Sequence, residues 1–346
     1  MNASTTSDLA AVLRCYPLDA PVALGRHEAG IINDNWIVAD AAGEQYLLRG
    51  YRRVRDPGRV DFQLRFQEHL LASGFPTAAA VRTRQGEGFV TVEGTPWSLF
   101  RYVEGQEFDF SSLAQASEAG RRLAQFHAVT AAYDGPAVPV VTGEVDFSNM
   151  LARVSSHMWR NSVLVEEHDE RLRQLFTGQE CESELAFFSH WRGRAAAAWP
   201  RERLSRLPQS WLHCDYHGRN MVFCGDEMRG LFDFDFVTRG PRTFDLGRGI
   251  FNFGREKRGS TTLREEFCRA FLEGYESAAP LSDEECKALP FMAVLNWVPD
   301  AGFYAARRVD EGDEGIARRL QADVKMMRGI QAEMRRLAPA FGWEVV

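Results

Sequence analysis

Apolar residues between positions 20 and 104 come in short runs broken by turn residues, which is the pattern of strands. Residues 36–39 and 45–49 are two such runs. The connection between them, Asp40-Ala41-Ala42-Gly43-Glu44, predicts a hairpin with glycine available for a left-handed position. Residues 89–92 and 97–103 form a second pair, and between the pairs residues 60–72 carry a helical period that Ser73, Gly74 and Pro76 terminate. From residue 111 the spacing lengthens. Leu113, Ala116, Ala119, Leu123 and Phe126 recur at helical intervals, and similar periods cover about 147–160, 181–198, 261–278 and 283–337. One island of strand pattern interrupts them, residues 221–224 and 229–234 around a turn at Gly225-Asp226. The expectation is an α+β protein of two lobes joined near Gly105: a small β-rich lobe with one helix over 1–104 and a larger, mainly helical lobe over 105–346.

Composition narrows the class. The chain of 346 residues is 45% hydrophobic and 26% charged, which excludes a disordered, collagenous or coiled-coil chain. A net charge of -7 argues against a sequence-independent nucleic-acid binder. It does not argue against a phosphorylated ligand, because global charge is screened beyond about 8 Å at physiological salt. No run approaches the roughly 20 apolar residues of a membrane span, and the first residues lack a basic and apolar leader, so a cytoplasmic protein without membrane partners is expected. The 6 cysteines are spread without a C-x-x-C pair, which fits reduced thiols. Every basic residue before Lys257 other than histidine is arginine, so no mechanism can draw on a lysine in the first two thirds of the chain.

The chemistry concentrates between residues 211 and 246. His213, Asp215 and Asn220 have the spacing H-x-D-x-x-x-x-N; a hairpin follows, and Asp233 ends its second strand. Phosphoryl transfer to a hydroxyl needs a carboxylate beside the attacking oxygen and divalent metal between the β- and γ-phosphates. Asp215 suits the first task. Asn220 and Asp233 offer the hard oxygens that magnesium prefers, and His213 reads as a structural hydrogen-bonder at the base of the loop. Two other readings stay open here. His213, Asp215 and His217 could ligate a transition metal in a hydrolase, and the chain could be a pseudokinase or nucleotide-binding regulator, although Asp215, Asn220 and Asp233 are all present.

With these residues the sequence resembles the superfamily of aminoglycoside phosphotransferases, type II homoserine kinases and choline kinases, small-molecule kinases of protein-kinase-like fold. The resemblance is strongest over 213–246, where Phe244-Asp245-Leu246 matches the family's later aromatic-Asp-Leu. It implies ATP and Mg2+ as cofactors, a small-molecule hydroxyl as acceptor, and a structural role for Asp245 in bracing the catalytic loop. It also implies that residues 100–105 link the lobes and that the segment from Gly30 through Asn33 to Trp36 faces the phosphates. The short interval from Asp233 to Asp245 leaves little room for the activation segment of a protein kinase.

The sequence departs from the family in places. Arg49 stands where many members carry a phosphate-holding lysine, and its permanent charge and forked donors fit that task. The glutamate usual on the following helix aligns with Gln63. Helical geometry places Gln63 on an arc with Phe62, Phe66 and Leu70 and turns Glu68 outward, so a hydrogen bond from Gln63 to Arg49 is expected in place of an ion pair. Asp235 replaces the glycine of the protein-kinase Asp-Phe-Gly triplet, and is read either as a carboxylate that supports the metal ligands or holds a second metal, or as a residue that faces solvent or caps the next turn. Candidate acceptor-pocket residues are Asp146, Trp159, Trp191, Trp297, Asp300 and Tyr304. Among these, Asp300 beside Trp297 and Tyr304 would suit an ammonium group. The expected acceptor is therefore a cationic amino alcohol such as homoserine, with an aminoglycoside as the alternative.

Overall fold

The computed structural model describes residues 6–26, 33–52, 55–136, 166–178, 180–298 and 301–345. After helix α1 (Thr6–Leu13) come strands β1 (Val22–Arg26), β2 (Asp34–Ala39) and β3 (Gln45–Gly50), helix α2 (Pro57–Ala72), and strands β4 (Ala80–Val81), β5 (Val90–Val92) and β6 (Thr95–Arg101). The strands form one antiparallel sheet in the order β1-β2-β3-β6-β4, with β5 also paired to β6. The β2–β3 hairpin closes as its sequence suggests. Asp40 Oδ1 accepts the N–H groups of Ala42 and Glu44, both at 3.0 Å, and Gly43 takes φ 84°. Arg49 lies on β3 between Asn35 of β2 and Ser98 of β6.

Local chemistry sets both ends of α2. Asp56 caps it by accepting the Arg59 N–H at 2.7 Å, Pro57 fills the first turn, and Gly74 at φ 74° ends it. Its buried side divides between two cores. Val60 and Leu64 pack with Tyr51, Ala78 and Phe100 beneath the sheet, whereas Phe62, Phe66 and Leu70 join the large helical core with Phe126 and Trp211.

Beyond the linker come α3 (Leu113–Thr130), α4 (Glu166–Leu175), α5 (Glu182–Ala198), α6 (Arg201–Ser205) and β7 (Gln209–Leu212). The β8 (Met221–Cys224) and β9 (Glu227–Leu231) hairpin follows, then a 3-10 turn at Phe234–Phe236, β10 (Thr238–Pro241), α7 (Thr243–Gly254), α8 (Glu265–Glu276), α9 (Asp283–Leu295) and α10 (Ala301–Phe341). Glycines let α3 and α8 touch through their backbones. A Cβ on Gly120 would lie 1.9 Å from the Phe271 carbonyl oxygen, and one on Gly274 2.0 Å from that of Ser117. The linker is equally close to the hairpin: a Cβ on Gly105 would meet Val222 at 2.8 Å, and Gln106 and Phe223 exchange both backbone hydrogen bonds.

Two expectations about helices need correction. The period over 283–337 belongs to two helices, α9 and α10, and α10 is itself broken by Gly312 at φ 68°; the apolar stripes run on across the interruption. The period over 261–278 becomes helical at Glu265. The period over 147–160, with Asp146 and Trp159, lies outside the described residues. Among the described residues no helix is long and apolar enough to cross a membrane.

Candidate active site

A cleft of about 470 Å³ opens between the sheet and the helical lobe, and Asn33, Arg49, Asp215, Asn220 and Asp233 all line it. The loop that carries Asp215 is held from below. Asp245, in the first turn of α7, accepts the N–H groups of His213 at 2.7 Å and Cys214 at 2.9 Å. Two such bonds hold Cys214 at φ 61°, a costly conformation for a residue with a side chain, and so aim the next residue into the cleft. Asp245 is fully buried, and His127 Nε2 of α3 lies 3.4 Å from it. Burial pushes the His213 imidazole below its usual range. His213 donates from Nε2 to the Phe232 carbonyl at 2.9 Å, and its Nδ1 accepts the Asp215 N–H at 3.2 Å. With both nitrogens engaged, His213 cannot join His217 on a metal, which removes the basis of the hydrolase reading.

Asp215 meets three partners. Its Oδ2 accepts from Asn220 Nδ2 at 2.8 Å and lies 3.3 Å from His217 Nε2, while Oδ1 pairs with the Arg248 guanidinium. Burial alone would raise the carboxyl pKa, but Arg248 and then His217 outweigh it and hold the group well below the usual carboxylate range. Asn220 spends its Nδ2 on Asp215, which leaves the amide oxygen for a cation. Asp233 sits across from it at φ 65°, with a side chain 29% exposed. A neutral and a charged hard oxygen facing one cleft fit magnesium, which takes few protein ligands and completes its octahedron with phosphate and water.

Arg49 reaches the cleft from β3 and donates to Asp233 Oδ1 at 3.0 Å and to Asp235 Oδ2 at 2.8 Å. The Gln63 hydrogen bond expected for Arg49 is absent: Gln63 is buried outside the cleft lining and its Nε2 has no partner. Asp235 replaces it. This buried carboxylate also accepts from Asn33 Nδ2 at 2.9 Å, and its backbone carbonyl accepts from Arg59 of α2. Helix α2 is thus tied to the strand arginine through an acid on the far lobe. Burial pushes the Asp235 carboxyl up, against the pull of Arg49. Glu68 faces away from the site and pairs with Arg82.

The acceptor-pocket candidates separate. Tyr304 is fully buried, bonded to Asp323 and packed on Phe176, and Trp191 stacks between Phe188 and Phe291; both are core residues rather than pocket lining. Trp297 stands edge-on to Phe251 at 5.6 Å, near the end of α7 that follows Arg248. Asp300 lies outside the described residues. Arg248 and Arg59 were missed by the motif reading. Arg248 does leave a signal, since it follows Asp245 by three residues, one helical turn, and so faces the same loop.

A nucleotide-sized cleft between a six-stranded sheet and a helical lobe, with Asp215, Asn220 and Asp233 converging on it, defines a protein-kinase-like small-molecule kinase. Residues 24–281 match the phosphotransferase enzyme family, and the chain belongs to it. It is a phosphotransferase acting on a hydroxyl group of a small molecule. The chain is 29% identical over 266 residues to a homoserine kinase from Rhizobium etli, covering 76% of this chain and 74% of the relative. Its fold is similar to that of an aminoglycoside phosphotransferase from Alicyclobacillus acidocaldarius, with TM-score 0.62, 18% identity and coverage of 99% and 98% of the two chains. It is also similar to a microcompartment-associated aminopropanol kinase, with TM-score 0.65, 18% identity and coverage of 98% and 99%.

Proposed function

We propose that this chain transfers the γ-phosphate of ATP to the hydroxyl of homoserine, with Mg2+. The observation that carries the reading is the convergence of Asp215, Asn220 and Asp233 on the cleft that Arg49 also lines. The homoserine kinases among its relatives support the acceptor, whereas the aminoglycoside reading rests on likeness of fold alone.

Asn220 and Asp233 would hold the metal, which would supply positive charge to the nucleotide phosphates. Arg49 places a permanent cation beside Asp233 and engages the phosphates, with Asn33 and Asp235 setting its direction. Asp215 orients the acceptor hydroxyl. Arg248 and His217 keep Asp215 ionised, so it can align the acceptor hydroxyl and accept its proton as the phosphoryl group transfers. His213 and Asp245 touch neither substrate and hold the loop.

Asp215→Asn should lower turnover by about a thousandfold or more and leave the nucleotide dissociation constant within about threefold. Wild-type turnover in that variant would sink the assignment. An ATP-consumption screen over homoserine, choline-like amines, sugars and aminoglycosides tests the acceptor, and homoserine should give the largest kcat/KM.

A further inference from the structure

One face of α7 runs along the catalytic loop. Arg248 and Asn252 lie on that face, and Arg255, three residues on, is the residue that ends the helix on the same side. Arg248 pairs with Asp215, and Asn252 Nδ2 donates to the Tyr216 carbonyl at 3.2 Å, so two of the three are fixed to the loop that carries the catalytic carboxylate. Arg255 is the third, and it has no such partner. Its guanidinium lies 5.7 Å from the Phe110 ring centre and 5.5 Å from that of Phe251, and forms no ion pair with a described residue. Burial, and then the charges of two more arginines, Arg258 and Arg248, pull its pKa down to about 10.

Donors without acceptors gather around this point. The Nε groups of Arg248 and Arg255 and the indole Nε1 of Trp297 are all shielded from solvent and unbonded, and Trp297 and Arg255 both contact Phe251. Two carboxylates of this region are already engaged, Glu107 with Arg258 and Asp215 with Arg248, His217 and Asn220, and the adjacent Glu256 is exposed to solvent. Unmet N–H donors and surplus positive charge beside a reacting centre call for an anion.

We infer that the acceptor carries a carboxylate, and that Arg255, with Arg248 and Trp297 beside it, holds this group while the hydroxyl meets Asp215. The inference deepens the homoserine reading and rests on it. It reverses the charge expected near Trp297, since the unbonded donors there would select for an anion. A polycationic aminoglycoside would be repelled there.

The test compares L-homoserine with 3-aminopropan-1-ol, which keeps the hydroxyl and ammonium and lacks the carboxylate, in the wild type, Arg255→Met and Arg255→Lys. The wild type should prefer homoserine by about a hundredfold or more in kcat/KM. Arg255→Met should reduce that ratio to below about tenfold, mainly through KM for homoserine, and Arg255→Lys should restore part of it. An unchanged thermal midpoint in both variants shows that the fold is kept. A wild-type ratio near one, or a ratio that Arg255→Met leaves alone, overturns the inference while homoserine remains a substrate. If homoserine is no substrate but another hydroxy acid is, the homoserine reading fails, and the carboxylate site stands when Arg255→Met raises the KM of that acid. Turnover confined to acceptors without a carboxylate would overturn both.

Discussion

Arg49 stands in a position where its charge must be satisfied in two ways. Asp233 and Asp235 accept from it at 3.0 and 2.8 Å, and both acids, working against the cost of burial, keep the guanidinium charged. Arg49→Ala should therefore raise KM for ATP by about tenfold or more. Glu68→Ala should change it by less than about twofold, because Glu68 only pairs with Arg82 on the outer side of α2. Initial rates over an ATP series check this, and the reverse ranking would mean that Glu68 partners Arg49 when nucleotide binds. The contrast shows what the sequence reveals about the site. Asp215, Asn220 and Asp233 are legible because their spacing follows from one loop and one hairpin. The partner of Arg49 is not, because Asp235 lies 186 residues away and reaches it only once the lobes have packed. Helical geometry puts Gln63 on the buried face of α2, as found, but does not state which neighbour its side chain meets.

At the scale of elements, α7 is the helix whose polar face is hidden: Asp245, Arg248 and Asn252 lie on one side and bond the loop that carries Asp215, so every residue from Thr243 to Gly254 except Arg248 is buried and the polar positions read as loop chemistry rather than as the outer face of a helix. The end of α2 is legible from Ser73, Gly74 and Pro76, whereas its start lies three residues before the expected residue 60, set by the Asp56 cap and Pro57. The start of α7 is fixed by Arg242, whose guanidinium reaches Glu285 of α9 at 2.6 and 3.1 Å. Glu285 also completes the capping box of α9 by accepting the Ser282 N–H at 3.0 Å. Burial would raise the Glu285 carboxyl pKa, but Arg242 and the Ser282 N–H outweigh it and lower the value below its ordinary 4.5. A carboxylate depressed on folding contributes stability above its unfolded pKa and loses it as pH falls through the folded one. Glu285→Gln should thus cost about 1–3 kcal/mol at pH 7, and the difference from wild type should shrink below about pH 4. Urea unfolding at pH 7 and pH 3.5 measures this; a deficit of equal size at both values would show that the charge of Glu285 is not what matters.

Across the whole molecule, residues 102–105 lead from β6 toward α3, and α2 packs on both the sheet and the helical core. Phe66 of this helix lies 5.0 Å from Tyr133, 5.4 Å from Trp211 and 6.1 Å from Phe126, all in the helical lobe. One turn earlier, Phe62 meets Trp211 at 5.9 Å, while Gln67 and Thr77 carry a hydrogen-bond relay to the Leu231 carbonyl at the end of the hairpin. The same helix presents Val60 and Leu64 to the sheet. An element with one face in each core cannot leave either without exposing apolar rings, so the lobes should lose structure together, in contrast to domains joined by a polar linker. Phe66→Ala should cost about 3–5 kcal/mol. Hydrogen exchange of the amides in β3 and β6 should then speed up alongside that of α3 and α8, in one cooperative transition. If protection fell in the sheet alone while α3 and α8 kept theirs, the lobes would be separable units and α2 an appendage of the smaller one. The coupled outcome has a consequence for chemistry. Because Arg59 of α2 bonds the Asp235 carbonyl, a shift of the helix would move the acid that directs Arg49, and Phe66→Ala should raise KM for ATP even though Phe66 lies outside the cleft lining.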